Sequence, residues 1–305
     1  MHFLTGEELD AAQLDALLAR ALELKAAPRS SRVLEGRVMA LIFEKPSTRT
    51  RTSFEVGVFE LGGHAMILKP DEMQLTRGES MGDAARVLSR HAALIGLRTG
   101  SEDTLGELAD AATVPVVNML SPLHHPCQAL ADLMTLKEAF GDIRGRRLAY
   151  VGDGANNVAR SLAVVGGRAG LEVAIAAPPQ FQLEEGRGAV LLSEPEAAAA
   201  GASAVYTDVW VSMSDSDDSA RERRAALAPF QLHDALLDGA RDDVIALHCL
   251  PAHPGEEITA AVLYGDRQRI WDQAENRRHA QKALIELLIA TGGVGSSSHA
   301  AAEER

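Results

Sequence analysis

Residues 43–54 read FEKPSTRTRTSF: a lysine, two arginines and five hydroxyl side chains in a chain whose formal net charge is -13. An arginine fork presents paired N–H donors at the spacing of two phosphate oxygens, and serine and threonine hydroxyls add further donors. Such donors gain most where a strand turns into a helix, because the first helical N–H groups lack partners and the macrodipole is positive there. The run RVMALIF ends at Phe43, Glu44-Lys45-Pro46 turns the chain, and helical spacing is under way by Phe54. Ser47, Thr48, Arg49, Thr50 and Arg51 therefore stand at such a junction and read as a cradle for an anion. A capped helix with a solvated basic face accounts for the same letters, so the rest of the chain has to decide.

Further polar clusters fall at comparable places. Arg98 ends the run AALIGLR, His124-His125-Pro126-Cys127-Gln128 follows PVVNML, and Asn156-Asn157 follows GDG after RLAYV. Asp208 and Ser212-Met213 close ASAVYTDVW, and His248-Cys249-Leu250-Pro251 closes VIALHCL. With HAMIL (64–68) and LEVAIAA (171–177), the runs 37–43, 92–98, 115–120, 147–153, 202–210 and 244–250 make up a series of short apolar segments separated by helical spacings. Continuous rather than alternating hydrophobicity is what parallel strands covered on both faces require. The series reads as repeated βαβ units. Each polar cluster then lies at the carboxyl end of a strand, the edge where open α/β sheets bind ligands.

The segment KEAFGDIRGR (137–146) interrupts the pattern with glycine and charge near the middle of the chain. The expected fold is α/β with two doubly wound parallel-sheet domains, 1–136 and 137–271, which suits a 305-residue chain. The glycine- and serine-rich end, 292–305, is expected to be a disordered tail.

Composition narrows the partners. So acidic a chain argues against a nucleic-acid surface, which needs a broad excess of Lys and Arg; a small anion suits one local basic cluster better. No stretch of 18 apolar residues reads as a membrane span and MHFLTGEELD does not resemble a signal peptide, so a cytoplasmic protein is expected. Cys127 and Cys249 are far apart in sequence and are expected to be reduced. His248, Cys249 and His253 could suggest zinc, but strand-end placement and the lack of a paired CxxC argue for no metal. GDGANN lacks the third glycine of a dinucleotide loop, so no nicotinamide cofactor is expected. Trp210 reads as core, and Asp272-Gln-Ala-Glu275 as a capping box opening the last helix.

Seven motifs in order carry a family resemblance: STRTR (47–51), LTRGES (75–80), HPCQ (125–128), GDGANN (152–157), DVWVSM (208–213), HCLPAH (248–253) and DQAENR (272–277). From about residue 3 to residue 290 the chain resembles the ornithine carbamoyltransferases of the aspartate/ornithine carbamoyltransferase superfamily. The resemblance implies transfer of a carbamoyl group from carbamoyl phosphate to L-ornithine, giving citrulline and phosphate in arginine metabolism, without a cofactor. It also implies a C-terminal helix, 272–290, returning to the first domain, and a homotrimer or a multiple of trimers.

Residue roles follow from the same resemblance. Ser47, Thr48, Arg49 and Thr50 would hold the phosphate, with Gln74 reaching it from a neighbouring subunit. Arg98, His125 and Gln128 would join Thr50 around the carbamoyl carbonyl and bridging oxygen. Arg277 and the backbone at Cys249 and Leu250 would hold the carbamoyl amide. Asn157 and the backbone near Met213 would bind the α-carboxylate of the amino acid, and Asp208 and Ser212 its α-ammonium group. Cys249 would position or deprotonate the attacking amine, unless the departing phosphate takes that proton.

Two departures concern the second substrate. Ser214 replaces the glycine usual after the SM pair, and Pro254 replaces the arginine of HCLPAHRG. The readings still to be separated are ornithine as acceptor, another amine such as aspartate or putrescine, and a paralogue that binds carbamoyl phosphate without turnover.

Overall fold

The computed structural model describes residues 1–211 and 216–292. Ser212, Met213, Ser214 and all of the expected tail but Gly292 lie outside the described residues.

Every expected apolar run contains a strand. They are β1 (Val38–Phe43), β2 (His64–Leu68), β3 (Leu94–Arg98), β4 (Val116–Leu120), β5 (Arg147–Val151), β6 (Glu172–Ala176), β8 (Ala204–Thr207) and β9 (Ile245–His248). The additional strand is β7 (Val190–Leu192), a three-residue edge strand with an exposed first residue, too short and too wet to stand out as an apolar run. Two parallel sheets result, one of four strands in the order β2-β1-β3-β4 and one of five in the order β7-β6-β5-β8-β9. The run ending at Trp210 outlasts its strand, since β8 stops at Thr207 and Asp208 leads into a loop.

The strand orders reverse between β1 and β3 and between β5 and β8, which makes these the switch points where doubly wound sheets open a crevice. Register then sets neighbours. Phe43 pairs with Arg98, so the chain entering Ser47 leaves the sheet beside that arginine. Thr207 pairs with His248, so the next residues along, Asp208 and Cys249, emerge side by side.

Packing explains why the strands are apolar throughout. In the first sheet Met39, Leu41 and Phe43 face one core while Ala40 and Ile42 face another. In the second, Leu148 and Tyr150 join the same central core as Met39, and Ala149 and Val151 face outward to a third. The outer face of the second sheet is paved by Ala149, Ala174, Ala176 and Ala246, against Ala198, Ala199 and Ala202. Small side chains let the covering helix approach closely at native packing density, which is where the abundant alanine goes.

The central core is wrapped by long helices. The helix Pro126–Phe140 ends at Gly141, whose φ of 74° suits only a residue without Cβ. The expected boundary at 136/137 falls inside this helix, because the chain carries its apolar periodicity through to Phe140 before the glycine. The last helix, Ile270–Gly292, packs on Pro126–Phe140, on Ala11–Ala26 and on Thr48–Glu60, and so returns to the first domain. It starts two residues before Asp272, which sits in its first turn; the expected capping box is not its N-cap. Buried Lys282 fastens it, with Nζ 2.6 Å from Glu60 Oε2 and bonded to the carbonyls of Leu24 and Pro28.

Candidate active site

The expected anion cradle begins as helix capping. Ser47, extended at φ -161°, accepts the N–H of Thr50 on its hydroxyl at 3.3 Å and so starts the helix Thr48–Glu60. That helix has no acidic residue in its first turn, so nothing within it offsets the positive end of the dipole. Thr48 is exposed and Arg49 half-buried, while Thr50 is buried and turned inward, where its hydroxyl accepts Nη2 of Arg277 at 3.2 Å.

Three guanidinium groups gather behind this junction. Arg98 is half-buried at the end of β3; burial first, then the charges of Arg277 and Arg49, pull its pKa down to about 10. Arg277 is 2% exposed and lowered by burial. Neither Arg49, Arg98 nor Arg277 forms an ion pair with a carboxylate among the described residues, and the Nε atoms of Arg98 and Arg277 are buried without partners. A buried charge is normally paired. Three cations, one buried and two half-buried, without a carboxylate among the described residues at a sheet's switch point can accept an anion.

His125 and Gln128 complete the enclosure from one helix. His125 precedes Pro126 at the N-terminus of Pro126–Phe140 and donates its backbone N–H to Ser161 Oγ of the second domain at 2.7 Å. The residue is 6% exposed with ring Nδ1 unpartnered among the described residues, and burial, reinforced by Arg277, Arg98 and Arg49, holds its pKa well below the usual 6.5. The imidazole is therefore neutral at neutral pH. Gln128 accepts Arg277 Nη1 on Oε1 at 2.6 Å and donates Nε2 to Asp132 Oδ1 at 2.8 Å. Because guanidinium can only donate, the amide orientation is fixed.

The opposite wall is the turn after β9. The N–H of His248 donates to Gln273 Oε1 at 3.0 Å, and Leu250 N–H donates to His248 Nδ1 at 2.8 Å. Leu250 has φ +61°, a conformation leucine takes only at a cost, and its peptide bond to Pro251 is cis. That backbone carries Cys249 and Leu250 to the rim of the arginine cluster, and the Cys249 and Arg49 charges affect one another.

Beside it lies a second, acidic subsite. Asn156 caps the next helix by accepting Val158 and Ala159 N–H on Oδ1, and Asn157 donates Nδ2 to the carbonyl of Ser121 at 2.8 Å, bridging to the first domain. Gly152 takes φ +125° and a Cβ there would stand 3.3 Å from Trp210 Nε1, so only glycine lets β5 pass the buried Trp210. Asp153 is neutralised by Arg223. Asp208 has no such cation among the described residues: its Oδ1 accepts the Cys249 thiol at 2.8 Å, and burial raises its pKa. Burial and Asp208 together hold the Cys249 pKa well above its ordinary value, so the group is a thiol at neutral pH.

Gln74 stands exposed on the 3₁₀ turn Gln74–Arg77, outside this hydrogen-bonded set. Asp208, His248 and Cys249 bring donor atoms within 4.8 Å of one another. The His248 ring, however, spends both nitrogens, Nδ1 on Leu250 and Nε2 on Glu257 at 3.1 Å, and has no lone pair left for a metal. The His253 ring is exposed, and its backbone N–H bonds Glu257.

Sequence reasoning passed over Asp132, Ser161, Glu257 and Gln273. For two of them a signal existed: Asp132 lies four residues after Gln128, and Gln273 four before Arg277, so each shares a helix face with a chosen residue.

Comparison with known proteins accounts for both halves. Residues 1–138 match the carbamoyl-P binding domain, and residues 144–288 the Asp/Orn binding domain, of the aspartate/ornithine carbamoyltransferases. An ornithine carbamoyltransferase of Acidothermus cellulolyticus is 50% identical over 96% of this chain and 98% of its own. One from Methanoculleus marisnigri is 46% identical over 96% and 98%. The solved structure of ornithine carbamoyltransferase from Pyrococcus furiosus has a TM-score of 0.88 at 42% identity, covering 95% of this chain and 97% of that one. Two domains matched in order, over nearly the full length of such relatives, establish that the chain belongs to the aspartate/ornithine carbamoyltransferase family.

Proposed function

We propose that this protein transfers the carbamoyl group of carbamoyl phosphate to the side-chain amine of L-ornithine, forming L-citrulline and phosphate. One observation carries the reading: three arginines with no carboxylate partner among the described residues and a neutral histidine converge at one sheet's switch point, beside a buried carboxylate at the other's. The first group suits a dianion with a carbonyl attached, and the second a cationic amino group.

In this reading Ser47, Thr48, Arg49 and Thr50 hold the phosphate, and a neighbouring subunit's Gln74 completes the cradle in a homotrimer. Arg98, Thr50 and His125 donate to the carbonyl and bridging oxygens, where charge grows as the amine attacks. Neutral His125 can donate one N–H there without giving up its proton. Gln128 takes a different part from the expected one. Nε2 gives one of its two hydrogens to Asp132, and Oε1, which already accepts Arg277, turns its remaining lone pair to the carbamoyl amide, alongside the backbone at Cys249 and Leu250.

Asn157 and Met213 hold the ornithine carboxylate, and Asp208 and Ser212 its α-ammonium group. Cys249, protonated and tied to Asp208, positions the attacking amine rather than deprotonating it. The proton then leaves with the departing phosphate dianion. Reaction without a cofactor, in a cytoplasmic enzyme of arginine metabolism, completes the proposal.

The test is ureido-product formation from carbamoyl phosphate with ornithine, aspartate, putrescine and N-acetylornithine offered separately, with phosphate release read alongside. Citrulline from ornithine alone, one phosphate per citrulline, is expected. Turnover with a different amine overturns the amino-acid subsite, and binding of carbamoyl phosphate with no turnover favours a binding paralogue.

A further inference from the structure

Asp132 belongs to none of the subsites above, yet it joins them. It is wholly buried on the helix Pro126–Phe140, and its Oδ1 accepts Gln128 Nε2 at 2.8 Å and Gln273 Nε2 at 2.7 Å. The directions of these bonds are forced from both ends. Arg277 can only donate, so Gln128 must show it Oε1 and turn its NH2 to Asp132. The backbone N–H of His248 can only donate, so Gln273 must show it Oε1 and likewise turn its NH2 to Asp132. Both chains of hydrogen bonds therefore end on one oxygen, which has to be an acceptor. One turn of the C-terminal helix separates Gln273 from Arg277 and closes the circuit.

We propose that Asp132 is a positioning residue for carbamoyl transfer, a shared acceptor that locks Gln128 with its carbonyl toward the carbamoyl site and anchors, through Gln273, the turn carrying Cys249 and Leu250. This rests on the functional reading above. The same carboxylate links the helix that carries His125 to the end of β9, so the two walls of the site keep one spacing. Burial raises its pKa to about 7 against the pull of the two amides. Any proton it binds sits on Oδ2, because Oδ1 already accepts twice, and the Tyr206 hydroxyl also faces this carboxylate and favours its charged form. Either protonation state leaves Oδ1 in its role. Misplacement of reacting groups by about 1 Å can cost a hundredfold in rate, which sets the scale of what such a lock controls.

The experiment compares wild type, Asp132→Leu, Asp132→Asn and Gln273→Leu by calorimetric binding of carbamoyl phosphate and by initial rates with each substrate varied. Folded fraction is measured by thermal melting. Asp132→Leu removes the acceptor; we expect kcat about 100-fold lower, with weaker carbamoyl phosphate binding in protein that still melts cooperatively. Asp132→Asn keeps an acceptor oxygen and recovers at least about tenfold of that loss. Gln273→Leu frees the His248 turn while leaving Gln128 on Asp132, so kcat falls about tenfold with less effect on carbamoyl phosphate binding.

Wild-type kcat and binding in Asp132→Leu, or an Asn variant no better than Leu, overturns the proposal. Should the Leu variant fail to fold, Gln273→Leu decides: unchanged kcat with unchanged KM for both substrates refutes it. Wild type that binds carbamoyl phosphate but leaves ornithine untouched fails the functional reading alone, and the binding series still tests Asp132.

Discussion

Arg98, His125 and Arg277 show a site arranged at the expense of the empty protein. Removing a half-buried cation that pairs with no carboxylate among the described residues relieves desolvation and repulsion instead of breaking an ion pair. Arg98→Met is therefore expected to leave the ligand-free melting temperature unchanged or higher. The same change takes away a charge-assisted bond worth about 2–3 kcal/mol, and kcat/KM for carbamoyl phosphate should fall at least about 30-fold. A large drop in melting temperature would show that Arg98 is structural. His125 makes a pH prediction with a definite sign. Its folded pKa lies below the unfolded value of about 6.5, so the unfolded chain binds the proton more readily. The associated stability is intact above about pH 6.5 and is lost as pH falls through the folded pKa. Replacing the residue by glutamine should shrink the fall in melting temperature between about pH 7 and pH 5. An equal fall in both proteins contradicts a buried neutral histidine.

Elements place these residues, and sequence made most of the elements legible. Apolar runs located eight of the strands because doubly covered strands must be apolar on both faces. The edge strand Val190–Leu192 escaped because half-exposed edges need not be. The strand-to-helix junction at Ser47 to Thr50 was readable because strand, turn and cap are consecutive in the chain. Asp132 and Gln273 left only a helix-face spacing to Gln128 and Arg277, since the bond that joins them spans 141 positions of sequence. Lys282 was equally hidden: a lysine at zero exposure reads as a surface residue until Glu60 is found beside it. It ties the last helix to the helix that bears the cradle. Glu60→Leu strands that ammonium group and should cost about 3 kcal/mol; adding Lys282→Met should restore most of it in a denaturation series. If the double variant is less stable than the single, the pair contributes net stability and the argument from stranded charge is wrong.

At the scale of the whole molecule, each sheet carries one polar cluster at its own switch point, and helices shared between the domains set the two clusters side by side. His125 N–H to Ser161, Asn157 to Ser121 and Gln273 to Asp132 all cross between the domains at this seam. A compound spanning both subsites tests that arrangement most directly: ornithine whose side-chain amine carries a phosphonoacetyl group, titrated by calorimetry into wild type and Arg277→Met. Binding at least about 10³-fold tighter than that of ornithine or carbamoyl phosphate alone is expected, since one molecule gains both sets of contacts for a single loss of freedom. Most of that gain should vanish in Arg277→Met. An adduct that binds no more tightly than carbamoyl phosphate would mean that the two subsites do not face a common reaction centre.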